Sequence, residues 1–267
     1  MYIKCRGLVI KQSDSGEKGK ILTILTENRG VIYAKAAGGK NIGAGYFRCC
    51  QLFTYSEFHF YSGYNPGVLT ILDAVYNRSF FELSKDIERF SLASYCAELC
   101  KISLVGNSDD TEVFRLLLNT FHTLEKEDYP LDHVKAVFEV RLGALLGIAP
   151  YIEDCDCCGK SLPSDEVLTY FDVDASCVRC GACKPKIKSR GPVLLMPAGV
   201  YRSILFVINA EKHNIFKFKT DEDTLNIFAD ISEKYLLRRL EYEPKSLPLY
   251  KSFKYACLPK GQEDEQI

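Results

Sequence analysis

Six cysteines fall within 29 residues of this chain: Cys155, Cys157 and Cys158, then Cys177, Cys180 and Cys183. No other feature restricts the fold as strongly. A Cys-x-x-Cys turn sets two sulfurs on one side of a tight loop, and a second turn about 20 residues on completes a tetrahedral four-thiolate site. Cys155 and Cys158 have that spacing, and Cys157 has it with neither neighbour. On the other side Cys177/Cys180 and Cys180/Cys183 both qualify, so spacing alone leaves the second pair open. Gly159 and Gly181, each directly after a cysteine, let the backbone fold back beneath a metal. Four cysteine ligands leave no position for water, which points to a structural zinc. The patterns of catalytic zinc, His-Glu-x-x-His and the deaminase His-x-Glu with Pro-Cys-x-x-Cys, do not occur. The competing reading is a redox-active thiol cluster.

The remaining cysteines, Cys5, Cys49, Cys50, Cys96, Cys100 and Cys257, read as small buried side chains. Twelve in 267 residues are too few for a disulfide scaffold. The N-terminal stretch lacks the apolar run of a signal peptide, and no segment reaches the ~18 apolar residues of a membrane span. The expected compartment is therefore the cytosol, where thiols stay reduced, with no membrane partner. The formal charge of −1 argues against a uniformly basic protein, but it hides a division. Residues 1–80 carry a net +5, residues 81–150 a net −5, and the rest is close to neutral.

The first 80 residues read as strands. Short β-branched and aromatic runs at 7–11, 21–26, 31–36, 52–61 and 68–75 are separated by Ser15-Gly16, Asn28-Arg29-Gly30, Gly38-Gly39 and Asn65-Pro66-Gly67. Five short strands suit a small closed barrel of the OB type, with an SH3-like meander fitting nearly as well. From Phe81 the apolar spacing becomes helical: Leu83, Ile87, Phe90 and Ala97; Val113, Leu117, Phe121 and Leu124; Val134, Phe138, Leu142 and Leu145, ending at Gly147 with Pro150 beyond. Residues 223–240 are amphipathic again. The fold class is thus α+β, with domains expected at 1–80 (barrel), at 81–150 with 191–250 (helical), at 151–190 (metal module inserted in the helical part) and at 251–267 (tail).

Other motifs are weaker. Ser15-Gly16-Glu17-Lys18-Gly19-Lys20 lacks the glycine spacing of a phosphate loop and the Ser/Thr after its lysine, so no ATPase is expected. His59, His122, His133 and His213 stand apart from any nucleophile pattern. Arg179, Lys184, Lys186, Lys188 and Arg190 form a basic run without an acid, read either as a phosphate-contacting strip or as a solvated loop offsetting the −2 charge of a zinc tetrathiolate. The +5 barrel also carries Tyr33, Tyr46, Phe47, Tyr55, Phe58, Phe60, Tyr61 and Tyr64. Barrels that bind single strands combine cations along the backbone with rings stacked on bases, although most strand aromatics are core, and two or three facing outward suffice. Candidate DNA contacts are Lys11, Lys18, Lys20, Arg29, Lys35, Lys40 and Arg48.

Taken together, the chain resembles the bacterial RecO family of recombination mediators over about residues 1–254. The resemblance rests on Gly7-Leu-Val-Ile, on Ile21-Leu-Thr-Ile-Leu-Thr-Glu-Asn-Arg-Gly30, and on Ser94-Tyr95-Cys-Ala-Glu-Leu. The most specific stretch is Phe138-Glu-Val-Arg-Leu-Gly-Ala-Leu-Leu-Gly-Ile-Ala-Pro150 running into Cys155-Asp-Cys-Cys158-Gly. Tyr235-Leu-Leu-Arg-Arg-Leu with Pro244-Lys-Ser246 matches the family's closing helix. The resemblance places the second ligand pair at Cys180 and Cys183, with Ser176-Cys177 where the family has Gly-Gly, so Cys155, Cys158, Cys180 and Cys183 would hold zinc. It implies a non-enzymatic, nucleoid-associated DNA-repair protein. Such a protein binds single- and double-stranded DNA, anneals complementary strands and contacts the acidic C-terminal tail of single-strand-binding protein. It also works with RecR, in some cases RecF, in loading RecA. The loop after the third strand has only Lys40 where relatives carry several cations, which shares its DNA contact with Lys35 and Arg48. The alternative from another class is a zinc-stabilised protein–protein adaptor that does not touch DNA.

Overall fold

The computed structural model describes residues 2–15, 19–36, 44–63, 67–104, 111–162, 169–186 and 188–256. Residues Met1–Ile24, Tyr33–Leu99 and Glu243–Ile267 form one compact unit; Leu25–Ile32 and Cys100–Tyr242 form a second.

Strands β1 (Tyr2–Ser15), β2 (Gly19–Thr26), β3 (Val31–Ala36), β4 (Thr54–Tyr61) and β5 (Leu69–Ser79) close a barrel in the order β1-β2-β3-β5-β4, and all of it but the end of β2 and the start of β3 falls in the first unit. The pairing of β3 with β5 is parallel, at Ala34↔Leu69 and Lys35↔Thr70, whereas β1 with β4 and β4 with β5 are antiparallel. That order is the Greek key of an OB fold, so topology excludes the simple meander left open by strand count. The period of two is clearest in β4, where Thr54, Ser56, Phe58 and Phe60 point inward, and in β3, where Ile32, Ala34 and Ala36 do so. Leu8, Val9, Leu22 and Ile71 complete the interior.

A short helix, α1 (Ala44–Cys49), packs on β5 between the third and fourth strands, and its continuation buries both Cys49 and Cys50. A 3-10 turn, Phe81–Lys85, leads into α2 (Ile87–Ser103). Near its end Glu98 accepts hydrogen bonds from the Lys245 and Ser246 backbone N–H groups and from the Ser246 hydroxyl.

The second unit contains α3 (Thr111–Lys126), α4 (Leu131–Leu145), three short strands β6 (Thr169–Asp172), β7 (Cys177–Cys180) and β8 (Val193–Leu195), then α5 (Ala198–Asn209) and α6 (Glu222–Leu240). Helix α7 (Ser246–Ala256), whose N-terminus Glu98 caps, returns to the first unit. α4 is the axis of the second unit, packed against α3, α5 and α6. It ends as its Gly147 predicts: Gly147 has φ 72°, and the Ile148 N–H reaches back to the Gly143 carbonyl at 2.9 Å. Inside it Lys135, 3% exposed, lies 2.8 Å from both Glu139 and Glu233, and Glu139 also accepts from the Ser232 hydroxyl at 2.9 Å. Among the described residues no helix is long and apolar enough to cross a membrane.

Candidate metal centre and nucleic-acid face

The module between α4 and α5 is built on two antiparallel pairings, with β6 central in the order β7-β6-β8. β6 and β7 form a hairpin whose register sets Thr169 opposite Cys180 and Asp172 opposite Cys177. Because strand side chains alternate, Cys177 and Arg179 leave one face of β7, and Val178 and Cys180 the other. Cys180 closes the strand, and the 3-10 turn Gly181–Lys186 carries Cys183 back alongside it.

The first turn docks on the same hairpin: the Tyr151 N–H donates to Ser176 O at 2.9 Å and the Asp156 N–H to Val178 O at 3.0 Å. Within it the Gly159 N–H donates to Cys155 O at 2.8 Å, and Gly159 takes φ 67°, the left-handed backbone that favours glycine. Gly181 does not adopt that conformation; it simply opens the 3-10 turn.

These constraints gather the sulfurs of Cys155, Cys158, Cys180 and Cys183 within 4.8 Å of one another. Cys158 Sγ and Cys180 Sγ are 3.8 Å apart. A tetrahedron with metal–sulfur bonds of ~2.3 Å has edges of roughly 3.8 Å, so the donor set fits a four-coordinate thiolate-bound ion. Three of the four cysteines are buried, and Cys158 is exposed. Burial opposes ionisation of Cys155, but backbone N–H groups of Cys180, Cys157 and Cys158 outweigh it and hold the thiol at about 6. The Cys180 N–H lies 3.3 Å from Cys155 Sγ. In Cys183 burial and the neighbouring thiols push the pKa upward instead. Cys157 is exposed and lies outside the cluster. Cys177 is buried on the opposite face of β7, and burial raises its thiol to about 11. Cys5, Cys49, Cys50, Cys96 and Cys100 are buried thiols with no disulfide among the described residues, and Cys257 lies outside them.

The barrel's sequence-predicted residues separate cleanly. Phe58 and Phe60 are core, Tyr46 and Tyr55 are half-buried, Tyr33, Phe47 and Tyr61 are exposed, and Tyr64 lies outside the described residues. On β3 the outward positions are Tyr33 and Lys35, a ring and a cation two residues apart on one face. The Arg48 guanidinium sits 3.8 Å from the centre of the Tyr76 ring on β5. Lys11 is exposed, and Lys20 donates to Gln12 Oε1 at 3.2 Å, whose amide in turn donates to Cys50 O at 2.6 Å. Arg29 belongs to the second compact unit, at the β2–β3 turn where its N–H donates to Thr26 Oγ1. Lys18 and Lys40 lie outside the described residues. Sequence reasoning missed Tyr76, which lies on a strand that continues past 75, and the ring partner of Arg48 follows from that extension.

In the helical unit the basic run loses one member. Arg179 is 3.1 Å from Asp156 and 3.9 Å from Asp172, and is largely buried. A cavity of about 170 Å³ is lined by Arg115, Arg141 and Lys212 and by Leu116, Leu145 and Ile215, which no sequence motif marks. Glu112 offsets part of its charge, at 2.6 Å from Lys212 and 3.2 Å from Arg115. His133 is a core side chain, bonded through Nε2 to Phe216 O at 3.1 Å.

Comparison with known proteins finds two family models. Residues 1–78 match the family model described as Recombination protein O N terminal, and residues 84–248 the one described as Recombination protein O C terminal. Among curated relatives, DNA repair protein RecO of Acetivibrio thermocellus is 26% identical over 251 residues, covering 94% of this chain and 97% of its own. DNA repair protein RecO of Clostridium acetobutylicum is 24% identical over 246 residues, covering 92% and 96%. That of Halalkalibacterium halodurans is 30% identical over 186 residues, 70% of each chain.

Proposed function

The chain belongs to the Recombination protein O family, and from that premise we propose a DNA-repair protein that catalyses no reaction of its own. It binds single- and double-stranded DNA, anneals complementary strands and, with RecR and in some cases RecF, helps RecA onto strands coated by single-strand-binding protein. The observation that carries the reading is the outer face of β3, where Tyr33 and Lys35 project together from an OB-type barrel. Alternating ring and cation suits a single strand, the ring stacking on a base and the ammonium following the phosphates. Arg48, stacked on Tyr76, adds a second cation–ring pair on the same unit. Annealing then needs no hydrolysis: cations lower the repulsion between two phosphate chains, and base pairing supplies the free energy.

We assign zinc to the four cysteines. Bound there, it would cross-link the two turns of the module and offer no open position for chemistry. The acidic tail of single-strand-binding protein we assign to the cavity lined by Arg115, Arg141 and Lys212, whose apolar wall of Leu116, Leu145 and Ile215 suits an acidic peptide with an apolar end. A second reading has one observation in its favour: β5 exposes Leu72 and Val75, about half accessible each, as the peptide-binding barrel of an adaptor would.

Strand annealing by the purified chain separates the two. The variant Tyr33→Ala, Lys35→Ala, Arg48→Ala should lose most annealing and lower the log–log salt slope of single-strand binding by about 1.4, two phosphates at ~0.7 each. A wild-type protein that neither binds nor anneals, or a binding constant flat in salt, overturns the DNA reading and leaves the adaptor.

A further inference from the structure

The basic run after Cys183 is left unexplained by the barrel and by the metal. We propose that the metal module carries a second nucleic-acid surface, in which Lys184, Lys186, Lys188 and Arg190 take the phosphodiester backbone of a strand. The inference rests on the DNA-binding reading above and extends it to a site in the other compact unit.

Four observations support it. First, the four side chains are exposed, and none of them has a carboxylate within ion-pair reach among the described residues. Three of the module's acids are engaged elsewhere: Asp156 with Arg179, Asp174 with Arg238 at 2.7 Å, and the buried Asp172 with the Ser189 hydroxyl at 2.7 Å. The stretch from Lys184 to Arg190 itself contains no acid.

Second, the strip does not serve the thiolates. No lysine or arginine side chain donates to a ligand sulfur among the described residues, and the bond to Cys155 Sγ comes from the Cys180 backbone N–H.

Third, the described backbone is braced at both ends of the run. Lys184 and Lys186 sit on the 3-10 turn that contains the ligand Cys183 and the rigid Pro185. Ser189 is tied to Asp172 and accepts from the Gly191 N–H at 3.3 Å. Gly191 itself abuts the Asp174 carboxylate, which leaves no room for a Cβ. Such a scaffold has little ordering entropy left to lose on binding.

Fourth, the cations recur at every second residue, and Lys184 lies 4.4 Å over the half-buried Tyr170 ring. Four cations in seven residues with no acid between them suit a polymer bearing one charge per repeat better than a peptide of mixed composition.

The test is equilibrium binding of a labelled oligothymidylate, which cannot self-pair, to the full zinc-loaded chain over a range of salt. The variant Lys184→Ala, Lys186→Ala, Lys188→Ala, Arg190→Ala should keep its metal content and melting temperature. It should bind at least fivefold more weakly at low salt, with the log–log salt slope reduced by about 2 to 3, at ~0.7 for each phosphate no longer neutralised. If that variant folds poorly, Lys186→Glu with Lys188→Glu reads the same slope with two solvent-facing changes.

Unchanged affinity and slope, with the Tyr33→Ala, Lys35→Ala variant impaired, overturns the strip and leaves the barrel reading intact. Wild-type protein that fails to bind the oligothymidylate overturns both. Loss of polyglutamate binding with oligothymidylate binding intact identifies the partner as an acidic peptide and overturns the strip as a nucleic-acid site.

Discussion

Ser176, which the resemblance sets opposite a family glycine, has the backbone of one. It has φ 52°, the left-handed region that costs an L-residue roughly 1–2 kcal/mol, and its hydroxyl reaches only a 3.4 Å bond to Val173 O. Ser176→Gly should therefore stabilise the chain by about 0.5–1 kcal/mol after the extra flexibility of the unfolded glycine is subtracted, read as a raised urea midpoint at constant m. A lowered midpoint would mean that the serine hydroxyl matters more than the strain. The stretch that carries the family resemblance also becomes physical at this scale. Glu139 and Lys135 form the buried ion pair, Gly143 leaves room for the Tyr235 ring, and the Tyr235 hydroxyl donates to Ile148 O at 2.6 Å. Arg141 donates to the Val207 and Ile208 carbonyls at the end of α5. Burial alone would push the Lys135 ammonium down; Glu139 and Glu233 outweigh it and hold it above its usual range. Lys135→Met removes the cation between two carboxylates, and about 3–5 kcal/mol of stability should go with it. Less than 1 kcal/mol in urea unfolding would show that the carboxylates find other partners.

At the scale of elements, the helices with a clear polar face were legible. The spacing of Val113, Leu117, Phe121 and Leu124 gives α3, and Asp221, whose carboxylate accepts from the Thr224 N–H at 2.8 Å, starts α6 one residue before Glu222. α5 has no side-chain cap at its start and carries Gly199 in its first turn, so no local signal marks where it begins. α1 and α7 are short, and the cap of α7 comes from Glu98, nearly 150 positions away, which no local pattern can show. The strands of the metal module are three or four residues long, below what alternation can signal. That brevity would make the module the element most dependent on the zinc assigned to it. One zinc per chain is expected by elemental analysis. Cys180→Ser and Cys183→Ser should each lose most of it, and Cys177→Ser should keep it. Chelation should lower the melting temperature by several degrees, and metal affinity should rise with pH, because the raised Cys183 thiol must give up its proton to bind. Full zinc in both the Cys180 and Cys183 variants would move the site elsewhere.

For the molecule as a whole, the charge of −1 is the sum of opposed regions, and a salt titration should resolve them. Binding of a single strand should weaken steeply with salt, with the reductions in slope from the barrel and strip variants roughly additive if the two surfaces hold the same strand. A slope in the doubly altered chain no lower than in either single set would show that the second set neutralises no further phosphate. The sequence by itself determined the change from strands to helices near Phe81, the basic barrel and the Cys155/Cys158 turn, because hydrophobic period, charge and turn spacing are local properties. Tertiary structure decided the rest. Closing β3 onto β5 in parallel made the barrel an OB fold and turned Tyr33 and Lys35 outward while Phe58 and Phe60 went inward. The docking of the first turn on the β6–β7 hairpin brought Cys155 and Cys158 to the face of Cys180 and Cys183, and left Cys177 on the other. Arg179 left the basic run for Asp156, and Lys184, Lys186, Lys188 and Arg190 stayed without a carboxylate partner among the described residues. These outcomes depend on which distant residues meet, and a pattern of neighbours along the chain does not contain that information.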